Sequence, residues 1–287
     1  ASLNRPWKGD PMTLMEAVIL GIVQGLTEPL PVSSSAHLVI VPALIPGFRQ
    51  PDVAFDVLLH LGTLLAVVFF LRREIGELLV SLLPGKGQAE NAPGADTGEK
   101  AANRRMVLLL AIATFLPGVI GILFKDRIER LFESVETTAC MLFITGILLF
   151  LSDRVKTNQR RKGEMNLTDG IVLGLVQAVA LIPGISRSGS TITFGIFRGL
   201  ERKTSATFSF LLSIPAISGA VILKSADLLR LPASDLPALG AGFLAAAVTG
   251  LLSLKLLFAI INKTGLSLFA YYCWFVGAAT LIIRGMG

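Results

Sequence analysis

Two stretches of this chain interrupt an apolar helix in the same way, and that repeated break limits the fold more than any other feature. Residues 21–37 read GIVQGLTEPLPVSSSAH and residues 174–190 read GLVQAVALIPGISRSGS. In the first stretch, Pro29 and Pro31 disfavour helix at the residues before them, so the helix should stop directly after Glu28. Ser33, Ser34 and Ser35 then offer N-cap oxygens to a new helix, with His37 in its first turn. Gln24 and Glu28 are four apart and share one helical face. A constant offset places Gln177 on Gln24, Ser186 on Ser33, Arg187 on Ser34 and Ser188 on Ser35. The same offset continues to put Phe208, Leu211 and Leu212 on Phe55, Leu58 and Leu59, which points to an internal duplication. The copies differ in chemistry. Leu181 and Ser190 stand where the first copy has Glu28 and His37, and the second copy gains Arg187. A duplicated scaffold with complementary chemistry predicts one composite site where the two turns meet.

Composition decides the solvent. The 287 residues are 53% hydrophobic and 16% charged, and the mean hydropathy is +0.70. Several apolar runs approach the roughly 20 residues needed to cross a bilayer, so the chain reads as an all-α integral membrane protein. The net charge of +6 does not indicate nucleic acid as a partner. Its basic residues flank apolar runs, as membrane topology requires, and no basic-aromatic surface pattern occurs. Cys140 and Cys273 both lie inside apolar runs and read as small buried hydrophobes, not as a disulfide or metal cluster. The opening ASLNRPWKGDP before Met12 (residues 1–11) reads as a vector-derived scar.

Along the chain, 14–28 and 36–46 are each too short to span and read together as a re-entrant hairpin. Spans follow at about 53–71, ending at Arg72 and Arg73, then at about 106–124 and 137–151. Residues 84–103 read as a loop, and 125–136 as a charged connection. The second half repeats the plan: a hairpin over about 168–199, then spans at about 204–223, 236–258 and 266–284. The basic segments 72–105, 153–166 and 198–203 belong in the cytoplasm and 125–136 and 224–235 outside. Counting crossings, the first half starts outside and the second inside. The reading is therefore six transmembrane helices plus two re-entrant helical hairpins, in one domain of two inverted-topology repeats (about 12–152 and 166–287).

Two half-helices would present their N-terminal N–H groups to one pocket, which favours an anion. Arg187 adds a planar fork suited to phosphate, and Ser33, Ser34, Ser186 and Ser188 add hydroxyl donors. Phosphate or pyrophosphate fits best. Glu28 and Gln24 would repel or ignore such a ligand, unless they hold a hard divalent cation such as Mg²⁺ or Ca²⁺, or move protons. His37, three residues after Ser34, is placed for catalysis. His60, four residues after Asp56, reads equally as support for the site or as a neutral structural pair, and Gln177 as a structural echo of Gln24. The glycines of PGISRSG, Gly189 among them, allow close backbone approach.

QGLTEPLPVSSSAH and PGISRSGSTI resemble the two signature segments of the undecaprenyl-diphosphatase family, the bacitracin-resistance phosphatases. The resemblance runs from Met12 over essentially the whole chain. It implies hydrolysis of undecaprenyl pyrophosphate to undecaprenyl phosphate and phosphate, recycling the lipid carrier for cell-wall synthesis. It also implies a bacterial inner-membrane location, divalent-cation dependence and a site opening to the outer face. Gln24 and Glu28 match the family's acidic motif, Ser33, Ser34, Ser35 and His37 its serine-histidine segment, and Ser186, Arg187 and Ser188 its arginine segment. Members carrying Glu at the position of Gln24 have one more metal-ligand charge.

On that basis Ser34 is the expected nucleophile, with His37 as base and then acid, and Arg187 and the helix N-termini binding pyrophosphate. Ser33 is the rival nucleophile, and attack by a water activated by His37 or Glu28 is the rival route. Membrane lipids and a polyprenyl pyrophosphate are the expected partners, and a homodimer is one candidate assembly. A transporter or flippase would use the same inverted repeat without releasing phosphate. A purely structural membrane protein would pair Arg187 with Glu28 and leave the serines without a role.

Overall fold

The computed structural model describes residues 12–45, 48, 53–83, 96–132, 134–155, 159–225 and 233–286. The stretch 1–11, read as a vector-derived scar, and residues 84–95, read as loop, lie outside them. Among the described residues the chain is helical, and its only β pairing is an isolated Arg160–Leu200 bridge. Helix α1 (Leu14–Thr27) opens on a capping box, in which Thr13 Oγ1 accepts from Glu16 N and Glu16 Oε2 from Thr13 N. Helix α8 (Leu167–Val179) opens on the same device, built from Asn166 and Asp169. The offset that aligns the broken turns also aligns these two caps.

After α1 come α2 (Ser34–Leu44), α3 (Val53–Phe70), α4 (Arg72–Leu82), α5 (Asp96–Leu123), α6 (Lys125–Leu131) and α7 (Val135–Ser152). After α8 come α9 (Arg187–Phe197), α10 (Arg202–Leu223), α11 (Leu236–Ile260) and α12 (Ser267–Met286). Five of these helices are long and apolar enough to cross a membrane, and a sixth span is reached by taking α3 with α4, which bend by 74° at Leu71. The chain is a multi-pass membrane protein. Two expected boundaries differ. Residues 72–82, read as the start of a basic segment following the span, form an amphipathic helix that Arg104 ties to α5 by donating from Nε to the Ser81 carbonyl at 2.7 Å. Residues 96–103, read as loop, are the first turns of α5, because Glu, Lys and Ala are good helix formers whatever their polarity and Asp suits a helix N-terminus. Likewise α6 occupies part of the segment read as a charged connection.

Helix association in lipid relies on small residues that let backbones approach. Helix α11 shows this on one side: Gly242, Ala246 and Gly250 are buried, while Leu244, Val248, Leu252 and Leu256 are exposed as a lipid-facing stripe. The buried side receives α1 and α3. A Cβ added at Gly21 would fall on the Gly242 carbonyl oxygen, one at Gly25 on Thr249 Oγ1, and one at Gly62 would stand 2.6 Å from the Phe243 carbonyl oxygen. In the second half, a Cβ at Gly174 would lie 2.8 Å from Ala113 Cα of α5. Thus α1 packs on α11 and α8 packs on α5, each half lending a helix to cover the other's broken hairpin.

Asp153 closes the α7 end. Its Oδ2 accepts from Leu266 N at 2.8 Å and Ser267 N at 2.7 Å, and Arg202 pairs with Oδ1 at 2.7 Å. Burial pushes the Asp153 carboxyl up, but the Ser267 hydroxyl, these backbone donors and Arg202 together hold it below the ordinary value of 3.8. A lowered folded-state value means stabilisation present above that ordinary value and lost as pH falls through the folded one. Asp153→Asn should therefore lower the unfolding midpoint in detergent by roughly 2–4 °C at neutral pH and flatten the acid limb of its pH dependence. Gly25→Leu should destabilise by about 1–3 kcal/mol through overpacking. Gly219→Ala, where an added Cβ meets nothing within 4 Å, should leave the same melting curve in place or raise it.

Candidate active site

The first turn begins where α1 ends. Glu28 is its C-cap, still helical at φ −66° and ψ −49°, and the prolines then release the backbone. Ser33 follows in a left-handed conformation, φ 68° and ψ 90°, which costs a non-glycine residue of order 1–3 kcal/mol. From there Ser33 Oγ caps α2 through Ala36 N at 3.4 Å, and Ser34 takes the first helical position. The second turn repeats this without the strained serine. Ser186, at φ −68°, caps α9 through Gly189 N at 3.0 Å. The left-handed residue here is Gly184 at φ +94°, where a Cβ would strike the Thr138 carbonyl. Thr145 of α7 fixes this turn, accepting from Ser186 N at 3.0 Å and donating to the Gly184 carbonyl at 2.8 Å.

The two turns meet at Glu28. Its Oε1 accepts from Arg187 Nη2 in a short ion pair, and its Oε2 accepts from Ser34 Oγ in a short hydrogen bond. Gln24 Nε2 lies 3.3 Å from Oε2 and His60 Nε2 3.5 Å from it, while Ser188 Oγ reaches the Glu28 carbonyl at 3.4 Å. Close approach depends on Gly189, where a Cβ would stand 3.2 Å from the Pro31 carbonyl oxygen of the first turn. A cavity of about 580 Å³ opens on this junction. Glu28, Ser34, Arg187 and His60 line its polar end, with the Ser33, Ser35, Ser186 and Ser188 hydroxyls beside them. Leu38, Val39, Leu181, Ile185 and Ile217 make its apolar walls.

Three expected residues do not face this cavity. Gly189 serves the approach of the turns, and Gln24 is buried behind Glu28. His37 is not brought to Ser34: its Nδ1 lies 2.8 Å from the Ser33 carbonyl oxygen and its Nε2 2.9 Å from Tyr272 Oη. The hydrogen-bond partner of Ser34 Oγ is Glu28, six residues earlier across the proline turn. His60, weighed in the sequence against a neutral structural pair, lines the cavity, and its spacing from Asp56 is the signal that finds it. Tyr272 carries no such local signal. The pairing of Arg187 with Glu28 is the one expected of a purely structural protein, but it leaves Arg187 Nη1 buried without a hydrogen-bond partner at the cavity. A buried guanidinium N–H without an acceptor is costly, and an anionic oxygen is the group that satisfies it.

The fit to a hard divalent cation rests on Gln24. Its Oε1 is buried with no hydrogen-bond partner, and its amide lies against Glu28 Oε2. A half-turn of that amide exchanges its nitrogen and oxygen ends, setting a carbonyl beside the carboxylate. Two such oxygens suit Mg²⁺ or Ca²⁺ shared with phosphate. Among the described residues no three His, Cys, Asp or Glu side chains cluster, so the phosphate would be part of the ligand set.

The sequence model described as Bacitracin resistance protein BacA matches residues 17–279. The chain belongs to this family. It is 40% identical over 269 residues to an undecaprenyl-diphosphatase of Syntrophotalea carbinolica, covering 93% of this chain and 97% of that relative. An undecaprenyl-diphosphatase of Gemmatimonas aurantiaca is 42% identical over 276 residues, 95% of this chain and 100% of the relative. One of Methanobrevibacter smithii is 41% identical over 267 residues, 93% and 96%. Both broken turns fall inside the family match, so the junction described above lies in the family's shared part. Since Arg187 offers a fork and not only a charge, Arg187→Lys should weaken inorganic pyrophosphate binding about tenfold by calorimetry.

Proposed function

We propose that this chain is an undecaprenyl-diphosphate phosphatase. It hydrolyses undecaprenyl pyrophosphate to undecaprenyl phosphate and inorganic phosphate, recycling the lipid carrier of cell-wall synthesis and conferring bacitracin resistance. The observation that carries this reading is the meeting of Ser34, Glu28 and Arg187 at the polar end of an otherwise apolar cavity.

Ser34 Oγ attacks the terminal phosphorus as Glu28 Oε2 takes its proton. The anhydride P–O bond breaks, undecaprenyl phosphate leaves with the bridging oxygen, and the phosphoryl group rests on Ser34. Glu28 yields that proton to the departing undecaprenyl phosphate and then takes one from a water as it attacks the phosphoserine. The Ser34 Oγ–P bond breaks, Oγ regains the proton from Glu28, and inorganic phosphate is released. Arg187 Nη1 and the first-turn N–H groups of α2 and α9 hold the phosphate oxygens as charge redistributes. Ser35, Ser186 and Ser188 add hydroxyl donors. Glu28 and Gln24 would hold a divalent cation, which would supply charge neutralisation for the pyrophosphate. The first isoprene units lie along the apolar walls, and the rest of the C55 tail continues into lipid.

The scaffold of this proposal is a pair of inverted repeats, about 12–152 and 166–287. The matched capping boxes and the exchange of covering helices between halves support it. The protein sits in the bacterial inner membrane with the cavity open to the outer face, a reading supported by the basic segments at the opposite ends of the spans. Both turns come from one chain, so this site takes its residues from a single copy.

The test is phosphate release from undecaprenyl pyrophosphate in detergent. Wild type should release phosphate, EDTA should suppress release, and Mg²⁺ or Ca²⁺ should restore it. Ser34→Ala and Glu28→Gln should each lose about a hundredfold or more in kcat. Undiminished release by Ser34→Ala would move the attack to Ser33 or water. No release by folded wild type would overturn the phosphatase.

A further inference from the structure

Tyr272 and His37 are joined in a hydrogen-bond chain that ends on the strained residue beside the nucleophile. The Ser33 carbonyl oxygen can only accept, so the His37 Nδ1 at 2.8 Å carries the hydrogen. The ring is buried, at 6% exposure, and its two partners, a carbonyl and a phenol, are both neutral. A neutral imidazole protonated at Nδ1 has its lone pair on Nε2, and Tyr272 Oη, 2.9 Å away, donates to it. The two rings stack with centroids 5.6 Å apart and planes 10° from parallel. Both ring nitrogens are thereby used, and neither faces the cavity.

We infer that Tyr272 and His37 are positioning residues that hold Ser33 in its left-handed conformation and so aim Ser34 at the phosphorus. Ser33 has φ 68° with a full side chain, and the residue after it is the first of α2. If Ser33 relaxed to an ordinary φ, the direction in which the chain enters α2 would change, and Ser34 Oγ would leave Glu28. The His37 ring N–H fastens the Ser33 carbonyl at 2.8 Å, closer than the His37 backbone N–H, which reaches the same oxygen at 3.3 Å. Tyr272 fixes the ring from α12, a helix that packs mainly on α7. The second turn needs no such device, because Ser186 has an ordinary φ and the left-handed residue there is Gly184. This rests on the phosphatase reading for its kinetic consequences, while the hydrogen-bond chain itself stands without it.

The experiment has two arms. In the kinetic arm, wild type, His37→Ala, His37→Asn, Tyr272→Phe and the double variant Ser33→Gly/His37→Ala are assayed for phosphate release. His37→Ala should lower kcat about a hundredfold with KM within about threefold, the signature of a misaimed nucleophile with intact binding. His37→Asn, whose side-chain N–H₂ replaces Nδ1–H, should recover to within about fivefold of wild type, and Tyr272→Phe should lose about threefold to tenfold. Ser33→Gly should rescue His37→Ala at least about tenfold, since glycine adopts the left-handed turn without help and still serves as an N-cap. His37→Asn as inactive as His37→Ala, with no rescue by glycine, would make His37 an acid or base and overturn the proposal.

In the second arm, ¹⁵N spectra of histidine-labelled protein read the tautomer directly. The chain has only two histidines, and His37→Asn assigns them by removing one set of signals. A neutral Nδ1–H ring whose Nε2 signal moves in Tyr272→Phe is the expected result. An Nε2–H ring or an imidazolium at neutral pH would overturn the chain whether or not the protein releases phosphate. Inactive wild type with the expected tautomer would instead sink the phosphatase reading and leave the hydrogen-bond chain standing.

Discussion

The contact on which the rest depends is the ion pair between Glu28 and Arg187, a carboxylate from one broken hairpin and a guanidinium from the other. Each charge is held at a depth where, alone, it would be costly. Paired, they mark the point where the two halves must meet, and the surrounding packing serves that meeting. Gly189 lets the second turn reach Pro31, Thr145 of α7 holds the second turn in place, and α11 and α5 press the two entry helices inward. The pair also accounts for the state of Ser34. A carboxylate neutralised on one oxygen by arginine remains a good acceptor on the other, and that oxygen is where the serine hydroxyl lies.

The nature of the halves was legible because local chemistry made it so. Prolines after Glu28, hydroxyls at Ser33 and Ser186 and apolar runs of spanning length act within a few residues of themselves, and the helices start and stop where those signals stand. The common offset was legible for the same reason, and it even covers Thr13 and Asn166. Boundaries set by amphipathic balance were not. Residues 72–82 and 96–103 are polar enough to read as a connection after the span, yet they are helical, and Arg104, just past the second, donates to the Ser81 carbonyl of the first, 23 positions away.

Side-chain direction was the other blind spot. Spacing from Ser34 puts His37 on the same helix and near the same face, but a shared face does not fix which way a ring points, and both His37 nitrogens turn to Ser33 O and Tyr272 Oη instead. What decides the direction of His37 is Tyr272, 235 positions later, and nothing in the local pattern announces it. Conversely, Glu28 looked like a metal ligand because a carboxylate beside serines and an arginine has several uses. Only the geometry shows that the proline turn folds Ser34 back onto it.

The small-residue seam between α1 and α11 bears on how the protein is made. Helix α1 leaves the ribosome well before the surface that covers Gly21 and Gly25, which belongs to residues 236–260, more than 200 positions later. Through most of synthesis its glycine face must therefore meet lipid or temporary neighbours, and Glu28 must wait for Arg187. Helix α1 is thus seated on its final neighbour only after residues 236–260 have been made.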